Sequence, residues 1–187
     1  MAKRPDFHAL VAKADGRLNA LRTDCHVCPA FDPAAMPAGQ RPPFSQFVGL
    51  WDTGATGSVI TQSVIDACGL QPYTVQRVIG AYGGETVRPA FYVAIGLPNG
   101  VVIPEVTAVL GELHGMDVLI GMDIITLGDF AITNENNKTT FSFRIPSLHT
   151  IDYVKQATQI RESKEADVAK RQGGGRTDAN PGGRRRR

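Results

Sequence analysis

The sequence predicts an all-β domain of about 100 residues with small helices as accents. From Phe47 onward the chain is cut into short β-branched and aromatic runs. Clusters of turn-forming residues, "DTGATG", "GAYGG", "LPNG", "GELHG" and "NENN", separate those runs. In "LPNGVV" the Asn-Gly pair tolerates positive φ, which suits a tight hairpin between two strands.

Each segment follows from its composition. Residues 1–44 hold Pro5, Pro29, Pro33, Pro37, Pro42 and Pro43 and no long apolar period, so an irregular Pro-rich N-terminal arm is expected. Residues 45–146 form the predicted domain. Its strands are "FVGLW", "SVIT", "YTVQRVIG", "ETVRPAFYVAIGL", "VVIPEVTAVLG", "DVLIG", "FAIT" and "TTFSFRI". Within it "QSVIDACG", stopped by glycine, and "MDIITLG" read as short helices. In residues 147–171, Ile151, Val154, Ala157 and Ile160 recur at helix-like intervals and predict a marginal helix. Residues 172–187, "QGGGRTDANPGGRRRR", bury nothing and are expected to be a disordered basic tail.

Composition narrows the function classes. At 187 residues and 42% hydrophobic, the chain suits one ordinary globular domain with residues to spare. No apolar run reaches about 18 residues, so no membrane-spanning helix is expected. The basic start lacks an apolar stretch behind it and does not read as a secretory signal. An odd count of three cysteines argues against a disulfide framework, and cytoplasmic residence is the expectation. Cys25 and Cys28 form a lone CxxC with no second pair at finger-like spacing, so no metal site is expected. The net charge of +2 is uneven: residues 155–187 carry ten Lys and Arg against four Asp and Glu, leaving the remainder at −4. The terminal "RRRR" offers charge without an aromatic platform, so no nucleic-acid partner is expected. His8, His26, His114 and His149 are scattered and support no nucleophile motif.

One stretch stands apart chemically. In "GLWDTGATGSVI" a single carboxylate, Asp52, ends an apolar strand and enters a glycine-bearing turn. Gly54 lets the backbone bring its amide close to that carboxylate, while Thr53 and Ser58 supply hydroxyl donors. An Asx-type turn, in which Asp52 only satisfies nearby backbone donors, is the plain alternative.

The stretch "FVGLWDTGATGSVI", residues 47–60, resembles the active-site strand and loop of retropepsin-like aspartic proteases. "DVLIGMDIITLGDFAI", residues 117–132, resembles that family's second hallmark, two apolar residues and a glycine leading into a short helix. Between them "VIGAYGGETV", residues 78–87, sits where the family carries a glycine-rich flap hairpin. The resemblance spans residues 47–145 and implies a closed acid-protease barrel. Two departures stand out. Trp51 replaces a smaller aliphatic residue and is expected to reshape a neighbouring pocket, and Gly57 is expected to loosen the loop.

The resemblance implies an aspartic endopeptidase that needs neither cofactor nor metal. It implies Asp52 as the catalytic group, with Thr53, Gly54 and Ala55 as the active-site loop. It makes Gly80, Ala81, Tyr82, Gly83 and Gly84 the flap over a peptide or protein substrate, and Leu119, Ile120 and Gly121 the support behind the loop. The same glycine-rich stretch also reads as an ordinary hairpin turn, and the Leu-Ile-Gly as ordinary core. Only one Asp-Thr-Gly is present, so the second carboxylate is expected from another copy across a two-fold axis. A dimerisation or peptide-binding module that keeps the fold without catalysis is the alternative.

Overall fold

The β-branched runs pair into two sheets. A computed structural model describes residues 7–37, 40, 42–80 and 83–173, with side chains through 170. In chain order the first strands are β1 (His8–Ala14), β2 (Leu21–Pro29), β3 (Ser45–Trp51), β4 (Ser58–Ile60) and β5 (Thr74–Gly80). There follow β6 (Gly84–Leu97), β7 (Val101–Leu110), β8 (Val118–Ile120), β9 (Asp129–Thr133) and β10 (Thr139–Ile145). Helix α1 (Gln62–Cys68) follows β4, α2 (Met122–Ile125) follows β8, and α3 (Tyr153–Gly173) follows β10.

The larger sheet runs β2-β3-β8-β4-β7-β6-β5, and β2 also pairs with β6. That extra pairing closes six strands into a barrel and leaves β5 outside the ring, paired among the described strands with β6. The all-β closed barrel expected from the sequence is therefore present. Strand β6 is long enough to serve twice. Its first half pairs with β5 as a projecting hairpin, and its second half pairs with β7 and β2 in the barrel wall. The turn from β6 to β7 has Asn99 at φ 60° and Gly100 at φ 78°, the positive-φ pair that Asn-Gly favours. Helix α1 ends where Gly69 adopts φ 61° and its N–H caps the last turn.

The N-terminal segment differs from expectation. Residues 1–44 are not irregular throughout, because β1 and β2 both lie there and β2 is a barrel strand. Every proline of this segment except Pro5 lies at or beyond position 29, so residues 8–28 are free to donate ladder hydrogen bonds. Leu10, Cys25, Val27 and Cys28 are buried there. Cys25 and Cys28, three positions apart on one strand, point to opposite faces. Burial, with Asp117 and Asp24 nearby, pushes the Cys25 thiol up to about 12, and burial pushes Cys28 up to about 11. Both are core residues that stay protonated.

The second sheet, β1-β10-β9, is antiparallel. It packs on the barrel through aromatic rings: Trp51, at the end of β3, lies with ring centroids 5.0 Å from both Phe141 and Phe143 and 5.9 Å from Phe130. Asp129 fastens the end of this sheet. Its carboxylate accepts from the Ser147 hydroxyl, the Arg144 guanidinium and the Leu148 N–H. Those donors, the Ser147 hydroxyl first, hold its carboxyl well below the usual carboxylate range. A lowered folded-state value means this contribution is complete above the unfolded carboxylate range, near pH 4, and fades as pH falls toward the lowered value. Replacing Asp129 by asparagine should therefore lower Tm at pH 6 and matter progressively less in more acidic buffer. Equal Tm losses at pH 6 and pH 2 would exclude this role.

The chain divides into two compact units, Met1–Leu148 and His149–Arg187. The second contains α3, which covers the helix expected in residues 147–171 and begins six residues later. Of the tail expected in residues 172–187, positions 174–187 lie outside the described residues. Among the described residues no helix is long and apolar enough to cross a membrane.

Candidate active site

Strand alternation sets the direction of Asp52. Trp51 is 5% exposed and turned into the core, so Asp52 lies on the opposite face with Leu50 and Val48. The Asp52 N–H donates to the Ile120 carbonyl at 3.0 Å, which carries the β3–β8 pairing one residue past Trp51. One Asp52 oxygen, Oδ1, accepts the Gly54 N–H at 2.8 Å. A Cβ at position 54 would stand 3.1 Å from that oxygen, so glycine permits the close approach. The Ala55 N–H reaches the Asp52 carbonyl at 3.3 Å, and the Ala55 carbonyl accepts the Met122 N–H at 2.9 Å. Thr53 and Gly54 are exposed, while Asp52 and Ala55 are half-buried.

Behind this loop lies a second carboxylate that sequence reasoning did not single out. Ser58 is 1% exposed; its hydroxyl donates to Asp123 Oδ1 at 2.9 Å and its N–H to Oδ2 at 3.0 Å. The Ser58 oxygen in turn accepts the Gly121 N–H at 3.3 Å, and Asp123 Oδ1 also accepts the Ile124 N–H at 3.0 Å. This network ties the Asp52 loop to the start of α2. Gly121 is required where the segments meet, since a Cβ there would lie 2.6 Å from the Gly57 backbone. Gly57 lies where Gly121 closes against the loop. Asp123 sits in "LIGMD", and the buried hydroxyl of Ser58 was the signal that it has a partner.

The three supporting residues divide. Ile120 is fully buried in the core, whereas Leu119 is half-buried and pairs with Leu50 and Val59. Leu119 therefore lies on the face that carries Asp52. Trp51 lies in the core, on the face opposite Asp52: it is the centre of the aromatic cluster, and its indole N–H donates to the Thr23 hydroxyl at 3.0 Å.

The β5–β6 hairpin stands where a flap was expected. Gly80 pairs with Gly84, and Gly83 has φ 80° with its N–H on the Gly80 carbonyl at 3.0 Å. Ala81 and Tyr82 lie outside the described residues. Arg77 and Glu85 pair across the strands at 3.3 Å on an exposed face.

Residues 45–126 match the family model of the gag-polyprotein putative aspartyl protease. That stretch holds both Asp52 and the Leu-Ile-Gly strand, and the match is to the kind of aspartic protease that those motifs resemble. Among solved structures, a retropepsin-like aspartic protease from Rickettsia conorii aligns with TM-score 0.44 and 8% identity, covering 76% of this chain and 98% of that one. The retroviral protease-like domain of Ddi1 from Leishmania major aligns with TM-score 0.38 and 16% identity, covering 67% and 95%. No curated protein matches the chain.

Proposed function

We propose that the chain is an aspartic endopeptidase that works as a homodimer, with Asp52 facing Asp52 of the partner subunit across a two-fold axis. The observation that carries this reading is Asp52 itself, at the mouth of a braced, glycine-bearing loop and on the outward face of the barrel wall. One such loop supplies half of a two-carboxylate site. Two carboxylates facing one water share a proton, because like charges so close do not both ionise easily. The ionised member takes a proton from the water as it attacks the peptide carbonyl. Its protonated neighbour donates to the carbonyl oxygen, and a proton later passes to the leaving amine. The pair titrates as a unit.

In this reading the exposed Thr53 hydroxyl reaches the partner's loop, and Gly54 and Ala55 present backbone to the substrate. The hairpin around Gly80, Gly83 and Gly84 closes over an extended peptide, whose main chain pairs as an added strand. The odd cysteine count fits a reducing, cytoplasmic setting.

The test is incubation of the purified chain with mixed peptides across pH values, with and without a statine-type transition-state mimic. Cleavage at acidic to mildly acidic pH that the mimic blocks is the expected result. Peptide binding without cleavage at any pH would instead leave a non-catalytic module.

A further inference from the structure

The face that carries Asp52 continues away from it into a groove of about 720 Å³. Alternation places Asp52, Leu50 and Val48 of β3 on one side with Gly121, Leu119 and Asp117, and with Gly57, Val59 and Thr61. Thr61 and Asp117 lie at the far end of that row, joined by the Thr61 N–H on the Asp117 carbonyl at 3.1 Å. They line the groove with Arg88, Glu112, Leu113 and His114. Arg88 comes from the hairpin above. Its ladder partner Gln76 lines a second groove with Gly57 and Asp123, so this hairpin face borders grooves at both ends of β4.

The charges in the groove are not equivalent. The Asp117 carboxylate is taken up by β3 and by α1: one oxygen accepts the Val48 N–H at 3.1 Å and the other the Ser63 hydroxyl at 3.3 Å. Arg88, half-buried, makes no ion pair among the described residues. Glu112, which is exposed, lines the same groove and is the competing anion. Val48, paired with Asp117, stands four residues before Asp52, about 13 Å along an extended strand. A peptide lying extended along this face brings its third or fourth residue from the scissile bond to that place.

We propose that Arg88 selects a substrate with a carboxylate side chain three or four residues from the cleaved bond, received in the groove between the flap strand and residues 111–117. This rests on the endopeptidase reading for its position relative to the cut, while the binding itself does not need catalysis. An exposed guanidinium–carboxylate pair at about 4 Å in a water-like dielectric favours the acidic peptide by about fivefold, and salt weakens it. Glu112 opposes that preference.

The probes are fluorescein-labelled decapeptides with apolar central residues and either Glu or Gln at the third and fourth positions on each side. Anisotropy measured with the Asp52→Asn chain reads binding without turnover, and kcat/KM with the unaltered chain reads cleavage. The unaltered groove should prefer Glu over Gln about fivefold at low salt. Arg88→Gln should bring that ratio to about one, Arg88→Lys should restore part of it, and Glu112→Gln should raise it. A Glu-to-Gln ratio near one for the unaltered groove, or one that Arg88→Gln leaves in place, overturns the proposal, as does failure of every peptide to bind. Selective binding without cleavage by the unaltered chain would overturn the endopeptidase reading and leave the Arg88 site standing.

Discussion

Replacing Asp52 by asparagine should lower kcat for peptide cleavage by about a thousandfold or more while leaving Tm nearly unchanged. Loss of a positioned acid or base alone removes about 10² to 10⁴ in rate, and here one substitution strikes both halves of a symmetric pair. The fold should survive because, among the described residues, the carboxylate accepts one hydrogen bond, from the Gly54 N–H at 2.8 Å. An asparagine carbonyl accepts that bond equally. Steady-state kinetics alongside thermal unfolding separates the two effects. Undiminished cleavage by a folded variant would remove Asp52 from the mechanism.

Truncating Trp51 to alanine should be the most damaging single change to stability. The ring is 5% exposed and touches Phe130, Phe141 and Phe143, so its removal empties the seam between the barrel and the second sheet. Large aromatic truncations in a core cost about 3 to 5 kcal/mol, which for a unit of this size lowers Tm by about 10 °C. Trp51→Phe should keep most of the packing and lose chiefly the hydrogen bond to Thr23, at about 1 kcal/mol. Calorimetry that found the two variants equally stable would show that the cluster does not hold the sheets together.

How far the sequence foretold this molecule depended on how local each signal was. The Asp52 turn was legible because its carboxylate and the Gly54 amide are two residues apart and glycine announces the close approach. The Asn-Gly hairpin and the Gly69 helix stop were legible for the same reason. Strand β2 was hidden by prolines counted over residues 1–44 as a whole, although they spare residues 8–28. Asp123 was passed over because its partner Ser58 is 65 positions away, and only the closed barrel brings them together. The place of Trp51 in the core was open to strand alternation, counted back one residue from Asp52. The Arg88 groove brings a hairpin residue together with residues 61–63 and 110–117, which no local pattern encodes.

The central claim is that two chains make one site, and mixing subunits tests it most directly. Unaltered chain and the Asp52→Asn variant should be combined in equal amounts, allowed to exchange, and assayed at constant total protein. If each site needs Asp52 from both copies, random pairing leaves about one quarter of the unmixed activity. About one half would mean that each chain acts with its own Asp52, and would contradict the account.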